Sequence, residues 1–212
     1  MRRAWNLALG GVLVAWSSTL ASQGDVIKRI EYAYRAVQSY EGQVEIEKNG
    51  TRETLRVRYE EGKSEVEGLS GPRAGKKIIV GKDVVRMKVL GVFVPVPTPD
   101  RYQKSGGDVG AGYILSRLEE EAERKRNGTP IQTSVIEDPE KIIIESDYTG
   151  SGHYRYKKAV VVIDKRLMLP VSASYDTDGK PGYEEVYRLE YASIKRKGAG
   201  LRALRPSGGA GG

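Results

Sequence analysis

The sequence contains no cysteine and a single histidine, His153. Without cysteine there is no disulfide, no thiolate metal site, no cysteine nucleophile and no N-terminal cysteine to carry a lipid anchor. A Ser-His-Asp triad would have to include His153, and a metal site built from several histidines is excluded. We assign His153 to a loop without a catalytic partner. The composition therefore predicts a protein that is not an enzyme and has no catalytic residues, no metal site and no cofactor.

The sequence also has no large excess of basic over acidic residues or the reverse. The 212 residues include 35 basic and 28 acidic side chains, which gives a formal net charge of +7 and a pI near 9.4. Basic and acidic residues are interspersed along the chain, which is typical of a solvated surface of mixed charge and not of a nucleic-acid binder. We expect a single domain at this length, a monomer, and no nucleic-acid partner.

Only one stretch of the chain is a long apolar run, and it lies at the N-terminus. Arg2 and Arg3 precede apolar residues 4–16, and Thr19 and Ala21 are the small residues at −3 and −1 of a cut after Ala21. This layout is typical of a secretory signal peptide, and the run is shorter than the about 20 residues of a membrane span. We predict a signal peptide over 1–21, a periplasmic location and no stable membrane span, with an uncleaved anchor as the alternative.

The next segment has a helical period. Ile27, Ile30, Tyr34 and Val37 recur at spacings of three and four, which predicts a helix over 22–40 with one apolar face. Gly42 is interpreted as its C-terminal stop.

From residue 44 the period changes to two. Val44 and Ile46 alternate with polar residues, Asn49-Gly50 is typical of a tight hairpin turn, and the return strand places Leu55, Val57 and Tyr59 on one face. Further strands are predicted over 64–69, 78–80, 84–90, 131–136, 141–147, 154–164, 170–175 and 183–195. Asp176-Thr177-Asp178-Gly179 resembles the start of a calcium loop, but Tyr187 stands where that loop needs glutamate, so we predict a hairpin turn.

Two further segments break the strand pattern. Residues 91–100 are apolar, but their three alternate prolines exclude a central strand, so they are predicted to form an extended edge or covering segment. Residues 89–97, with Phe93 at their centre, are either plain core or a lid over an apolar cavity. A helix is predicted over 109–126, with Glu119-Glu120-Glu121 on a solvated face. The glycine-rich residues 198–212 are predicted to be a disordered tail.

Two phrases of the sequence carry a family resemblance. "VIKRIEYAYRAVQSYEGQVEIE" and "VVVIDKRLMLPVSASYDTDGKPGYEEVYRLEYASIK" resemble the opening and the late part of LolA-like proteins. This superfamily includes periplasmic carriers of outer-membrane lipoproteins and lipoprotein-sensing regulators of envelope stress. The helix in "PDRYQKSGGDVGAGYILSRL" looks more like one of its uncharacterised branches. The resemblance covers most of residues 25–196, within a single domain predicted over 22–197.

The resemblance implies an α+β fold. Its sheet would be a strongly curved antiparallel half-barrel, with the N-terminal helix and the helical insertion covering the concave face. An apolar cavity for acyl chains would lie between them, which implies a non-catalytic carrier or chaperone for lipids or lipoproteins. The alternative is an envelope sensor or scaffold that binds a protein partner through its open sheet edge.

The candidate ligand-binding residues follow from the alternation of the hairpins and the stripe of the second helix. We expect the cavity to be lined by Ile46, Leu55, Val57, Tyr59, Ile79, Val85, Phe93, Val94, Ile114, Leu115 and Leu118.

Overall fold

The computed structural model describes residues 23–89, 91–151, 156–176, 184–198 and 202–203. Four of the expectations above fall wholly or mostly outside these ranges: the signal peptide over 1–21, the loop position of His153, the turn at 177–179, and the tail over 198–212.

One antiparallel sheet contains the 12 strands of the described residues. The strands are β1 Val37–Lys48, β2 Thr51–Glu60, β3 Lys63–Ser70, β4 Lys77–Gly81, β5 Val84–Val89, β6 Val92–Pro97, β7 Gln132–Glu137, β8 Lys141–Asp147, β9 Lys158–Asp164, β10 Leu169–Asp176, β11 Glu184–Arg196 and β12 Arg202–Ala203. Their order is β6-β5-β4-β3-β2-β1-β11-β10-β9-β8-β7, and β12 pairs with β11. The pairing of Ser193 with Ala203 corrects the prediction of disorder at 202–203.

The sheet is two meanders joined in the middle by β1 and β11. These two long strands pair from Val37 opposite Arg196 to Lys48 opposite Glu185. The join leaves β6 and β7, which follow each other in sequence, at opposite edges of the sheet. The segment between them therefore crosses the whole sheet, and it does so as two helices.

The helices are α1 Gln23–Arg35, α2 Asp100–Lys104 and α3 Ala111–Arg126. The helix predicted over 109–126 is confirmed, but the one predicted over 22–40 is too long at its C-terminal end. Val37 pairs with Arg196 and Ser39 with Lys195, so Gln38 is an extra residue in β1, and Val37 and Tyr40 come to the buried side at a spacing of three. This bulge imitates a helical period inside a strand.

Gly42 is a packing residue and not a helix stop. A Cβ atom built at this position would collide with the carbonyl oxygen of Glu190 on β11. The glycine therefore permits the close approach of the two central strands.

The first hairpin is confirmed in detail. Asn49 and Gly50 have φ angles of 51° and 71°, the left-handed pair of a type I′ turn. Leu55 and Val57 are buried on the face of the sheet that the helices cover, which we call the inner face; the opposite one is the outer face. Residues 92–97 form an edge strand, as their prolines predicted.

The helices cover the two halves of the inner face unequally. Val26 and Ile30 of α1 and Ile114 of α3 are almost fully buried, and both helices contact β10 in the second meander. The most buried strand residues of that half are Ile142, Ile144, Val161, Ile163 and Leu169. In the first meander, α1 contacts β1, and the short α2 contacts β4. The α+β fold with an open, helix-covered antiparallel sheet is thus confirmed, and part of its apolar inner face remains uncovered.

Candidate functional site: an apolar cavity under the first meander

A cavity of about 580 Å³ lies where helical cover is missing. This volume falls within the roughly 300–1,000 Å³ of small-molecule sites. Its walls are the inner faces of the first meander, closed on one side by α2, the start of α3 and β11. The lining residues are Ile46, Lys48, Asn49, Thr51, Glu53, Leu55, Val66, Arg73, Ile78, Val80, Val85, Met87, Val96, Pro97, Pro99, Tyr102, Val109, Tyr113 and Tyr187.

The strand side of this cavity is aliphatic. Leu55, Val66, Val80 and Val85 come from four successive strands and are all buried. They point inward because the strands alternate with a period of two, while Arg56, Glu65 and Glu67 point outward. The first meander therefore places a continuous hydrocarbon surface under the cavity.

The charged side chains of the lining are paired within the protein. Arg73 Nε donates a hydrogen bond of 2.8 Å to Glu53 Oε2, and Arg73 Nη2 donates to Glu53 Oε1. The pair is therefore bidentate. Hydrogen bonding to Glu53 raises the pKa of Arg73 above its ordinary value. Lys48 Nζ donates to the buried carboxylate of Glu185. These pairs leave the cavity wall without an uncompensated charge among its described residues.

Tyrosines form the helical side of the cavity. The rings of Tyr102 and Tyr113 lie 5.9 Å apart between centroids, and those of Tyr113 and Tyr187 lie 5.6 Å apart. The Arg117 guanidinium also contacts the ring of Tyr113, with its carbon 5.5 Å from the centroid, and it lies 4.1 Å from the centroid of Tyr175. Such cation–π stacking holds the first two turns of α3 against the sheet.

A buried carboxylate fixes the beginning of α3. Asp108 is fully buried and accepts hydrogen bonds from the Tyr34 hydroxyl at 2.8 Å and from the Tyr40 hydroxyl. It also accepts from the backbone N–H groups of Gly110 at 2.8 Å and Gly112 at 2.9 Å. Burial raises the pKa of Asp108, and the four hydrogen bonds act in the opposite direction. This cluster joins α1, β1 and α3, and so positions the helical wall of the cavity.

A second buried carboxylate corrects the prediction that the acidic triplet is solvated. Glu121 is only 5% exposed and accepts hydrogen bonds from Tyr148 at 2.6 Å, from Thr133 at 3.2 Å and from Ser146. Its spacing of three from Leu118 places it on the buried stripe of α3, whereas Glu119 is exposed. That spacing is the signal in the sequence that identifies Glu121.

The predicted site residues divide into three groups. Ile46, Leu55 and Val85 line the cavity as expected. Val57, Tyr59, Ile114, Leu115 and Leu118 belong to the packed core or its edge and are not among the lining residues. The third group, Val94, Ile79 and Phe93, lies on β4 and β6.

Two residues of the third group face away from the cavity. Ile79 and Phe93 line a separate groove of about 440 Å³ on the outer face, together with charged residues such as Arg56 and Lys77. The structure therefore separates these two residues from those that line the cavity. Val94 is on the inner face opposite Met87, but it is 44% exposed and lies beyond the cavity wall.

Several lining residues were not anticipated. No pattern in the sequence identifies Glu53 and Arg73, because their pairing joins β2 to a turn after β3. Tyr102, Tyr113 and Tyr187 come from three separate elements whose contact depends on the crossing of the sheet by the helices. Among the described residues, no group of three or more acidic or histidine side chains is placed to hold a metal ion.

Comparisons with known proteins give likenesses in structure alone. No protein-family model and no curated protein sequence matches the chain. The chain is similar to an uncharacterized conserved protein from Thermus thermophilus, with 12% identity, a TM-score of 0.50, and coverage of 83% of this chain and 88% of that one. It is also similar to the Mycobacterium tuberculosis lipoprotein LppX, with 15% identity, a TM-score of 0.46, and coverage of 80% and 96%.

A third similar structure is a LolA superfamily protein from Nitrosomonas europaea, with 11% identity, a TM-score of 0.40, and coverage of 87% and 96%. At these identities the likeness concerns the fold. In the part of the chain that the structure describes, no helix has the length and apolar character to span a membrane.

Proposed function

We propose that this protein binds acyl chains of lipids or lipoproteins in the cavity under the first meander, as a non-catalytic carrier or chaperone outside the cytoplasm. The observation that supports this most strongly is the chemistry of the cavity. Its strand side is aliphatic, and its charged residues Lys48, Glu53 and Arg73 are already paired with protein groups.

Paired charges favour a hydrocarbon ligand over a charged one. A ligand phosphate or carboxylate entering the cavity would have to compete with Glu185 for Lys48, or with Glu53 for Arg73, which would leave the buried Glu53 carboxylate without its partner. An acyl chain makes no such demand. Each methylene that moves out of water contributes about 0.8 kcal/mol of binding free energy.

The location and the absence of catalysis rest on the sequence. The charged start, the apolar run and the small residues before a cut after Ala21 support export across the inner membrane. A chain with no cysteine and one histidine has no thiol nucleophile and no metal site with several histidine ligands.

Native mass spectrometry of the protein purified from its own cell envelope tests this proposal. We expect a fraction of the protein to carry a bound species with the mass of a lipid or lipopeptide, released by organic solvent without loss of folding. The proposal fails if the protein is always ligand-free and the solvent-treated protein does not take up fatty acid added in solution.

A second candidate function, binding of a protein partner by strand addition, is favoured by the free edge of β7. No described strand pairs with its outer side. Asp138 N–H donates to the carbonyl of Lys141, and this register directs the N–H groups of Thr133, Val135 and Glu137 outward. Val135→Pro removes one outward donor and leaves the inner ladder unchanged. Loss of an envelope partner in crosslinking of this variant supports the second function, and unchanged crosslinking argues against it.

A further inference from the structure

The hairpin of β5 and β6 exposes an unusual amount of apolar surface at one edge of the sheet. Val92 is 65% exposed, and Val84, Met87, Phe93 and Val94 are each between 41% and 44% exposed. A contiguous group of exposed apolar side chains on a folded domain marks an interaction surface.

The two faces of this hairpin differ in chemistry. On the inner face, Val85 lies opposite Val96 and Met87 opposite Val94, and three of these four residues also line the cavity. The exposed inner face is therefore an extension of the cavity wall. On the outer face, Lys88 lies opposite Phe93, and Arg86 lies opposite Pro95.

The charge of this segment has one sign. No aspartate or glutamate occurs between Asp83 and Asp100, whereas Arg86 and Lys88 are both exposed. Within the hairpin, exposed valine, methionine and phenylalanine accompany two cations and no acidic residue, which matches the surface of an anionic bilayer. The outer groove beside Phe93 contains Glu41, Glu65 and Glu67 together with the cations Arg56, Arg58 and Lys77.

The backbone of β6 argues against a partner that adds a strand. Thr98 N–H donates to the carbonyl of Asp83, and this register directs the backbone nitrogens of Phe93, Pro95 and Pro97 toward the free edge. Proline has no N–H, so two of these three positions lack a donor. The exposed side chains of the hairpin therefore have to be covered by something other than a β-strand.

We propose that the β5–β6 hairpin docks the protein onto an anionic lipid bilayer. The valines of β6 enter the interface, and Arg86 and Lys88 lie at the level of the lipid phosphates. This surface adjoins the cavity at Met87 and Val96, so docking brings the cavity to the bilayer from which an acyl chain enters or to which it leaves. The inference that docking serves the transfer of acyl chains rests on the proposed function. The experiments below measure only the contact between the hairpin and the membrane.

The absence of cysteine permits a direct test with one label per molecule. Val92→Cys carries an environment-sensitive fluorophore on the hairpin, and Ile136→Cys, on the half-exposed edge strand β7, carries the same label as the matched control. Vesicles of phosphatidylcholine with phosphatidylglycerol should shift the emission of the Val92 label to shorter wavelength and leave the Ile136 label unchanged.

Three results would overturn docking. They are no shift at Val92, an equal shift at both positions, or a shift at Val92 that grows with protein concentration in the absence of vesicles. The last result assigns the surface to a second copy of the chain.

A charge variant supplies the second measurement. Arg86→Gln with Lys88→Gln should weaken cosedimentation with the anionic vesicles about 25-fold, since each basic side chain near the surface contributes roughly 1 kcal/mol, about fivefold in affinity. Lys141→Gln with Lys195→Gln removes two exposed cations from other strands and should change binding less than about twofold. Equal losses in both variants contradict a specific hairpin contact.

The two proposals fail separately. Because Arg86 and Lys88 are on the outer face, their replacement should leave the affinity for a soluble fatty acid unchanged. Vesicle binding without fatty-acid binding would refute the proposed function and leave docking intact.

Discussion

The hydroxyl of Tyr34 on α1 donates a hydrogen bond of 2.8 Å to Oδ2 of Asp108, the residue whose carboxylate also receives two N–H groups at the start of α3. This contact joins the two helices that cover the sheet. Because the acceptor is a buried carboxylate, its loss should matter more than that of an ordinary surface hydrogen bond.

Tyr34→Phe is expected to lower the free energy of unfolding by about 1.5–3 kcal/mol, the range for hydrogen bonds to charged groups. Tyr32→Phe is the matched control, since Tyr32 is on the same helix and 80% exposed. Urea denaturation followed by circular dichroism measures both. Equal stability of the two variants would show that the Tyr34 hydroxyl contributes nothing.

The raised pKa of Asp108 predicts a pH dependence with a definite sign. Its ordinary value is 3.8, and burial raises it in the folded protein. The folded state therefore binds this proton more tightly than the unfolded chain. The resulting contribution to stability is fully present below about pH 3.8 and is lost as the pH rises through the folded value.

Asp108→Asn removes this titration. The stability of the wild type relative to Asp108→Asn should therefore decrease as the pH rises from below 3.8 toward neutrality. Denaturation curves of both proteins over this pH range test the prediction. A difference that increases with pH would contradict it.

Glu121 offers a comparison within one acidic triplet. Glu121→Gln replaces one acceptor oxygen with an N–H₂ group among the three hydroxyl donors of Thr133, Ser146 and Tyr148, and should destabilise the fold by about 1–3 kcal/mol. Glu119→Gln, two residues earlier and exposed, should change stability by less than about 0.5 kcal/mol. Similar effects in both variants would mean that the triplet is solvated after all.

Alternation of apolar and polar residues was sufficient to predict a strand and its buried face where only one face of the strand is apolar. Leu55 and Val57 alternate with arginines, so both the strand and its buried face follow from the sequence. Ile78-Ile79-Val80 is apolar throughout, and no pattern in it distinguishes the inner from the outer face. The structure places Ile78 and Val80 toward the cavity and assigns Ile79 to the outer groove alone.

Long-range packing accounts for the other differences. The bulge at Gln38 that brings Val37 and Tyr40 to one side depends on pairing with β11, which is far away in the sequence. The pair of Lys48 with Glu185 likewise forms only after the two meanders assemble, and the pair of Arg73 with Glu53 requires β2 to pack against the turn after β3. Turn chemistry at Asn49-Gly50 and the prolines of β6 act locally, and the elements that depend on them were predicted correctly.

Truncation of Phe93 tests whether this side chain is a lid, part of the core, or an outer-face residue. A lid would close the cavity, and a core phenylalanine would fill the interior. Truncation of a buried core phenylalanine costs about 3–5 kcal/mol of stability. Because Phe93 lies in the outer groove and is 41% exposed, Phe93→Ala should cost less than about 1 kcal/mol and leave fatty-acid affinity in solution unchanged. A marked loss of either property would restore the interpretation of residues 89–97 as a lid or as core.

The central claim is that acyl chains bind on the inner face, and two tryptophan variants of neighbouring strands test it most directly. Met87→Trp adds volume to the cavity wall, and Ile79→Trp adds it to the outer groove. Titration with a fluorescent fatty acid should give saturable binding for the wild type and Ile79→Trp. Met87→Trp should bind about tenfold more weakly or worse, a loss of at least about 1.4 kcal/mol. Equal affinity of Met87→Trp and the wild type, or loss of binding in Ile79→Trp alone, would contradict the assignment of the cavity as the acyl-chain site.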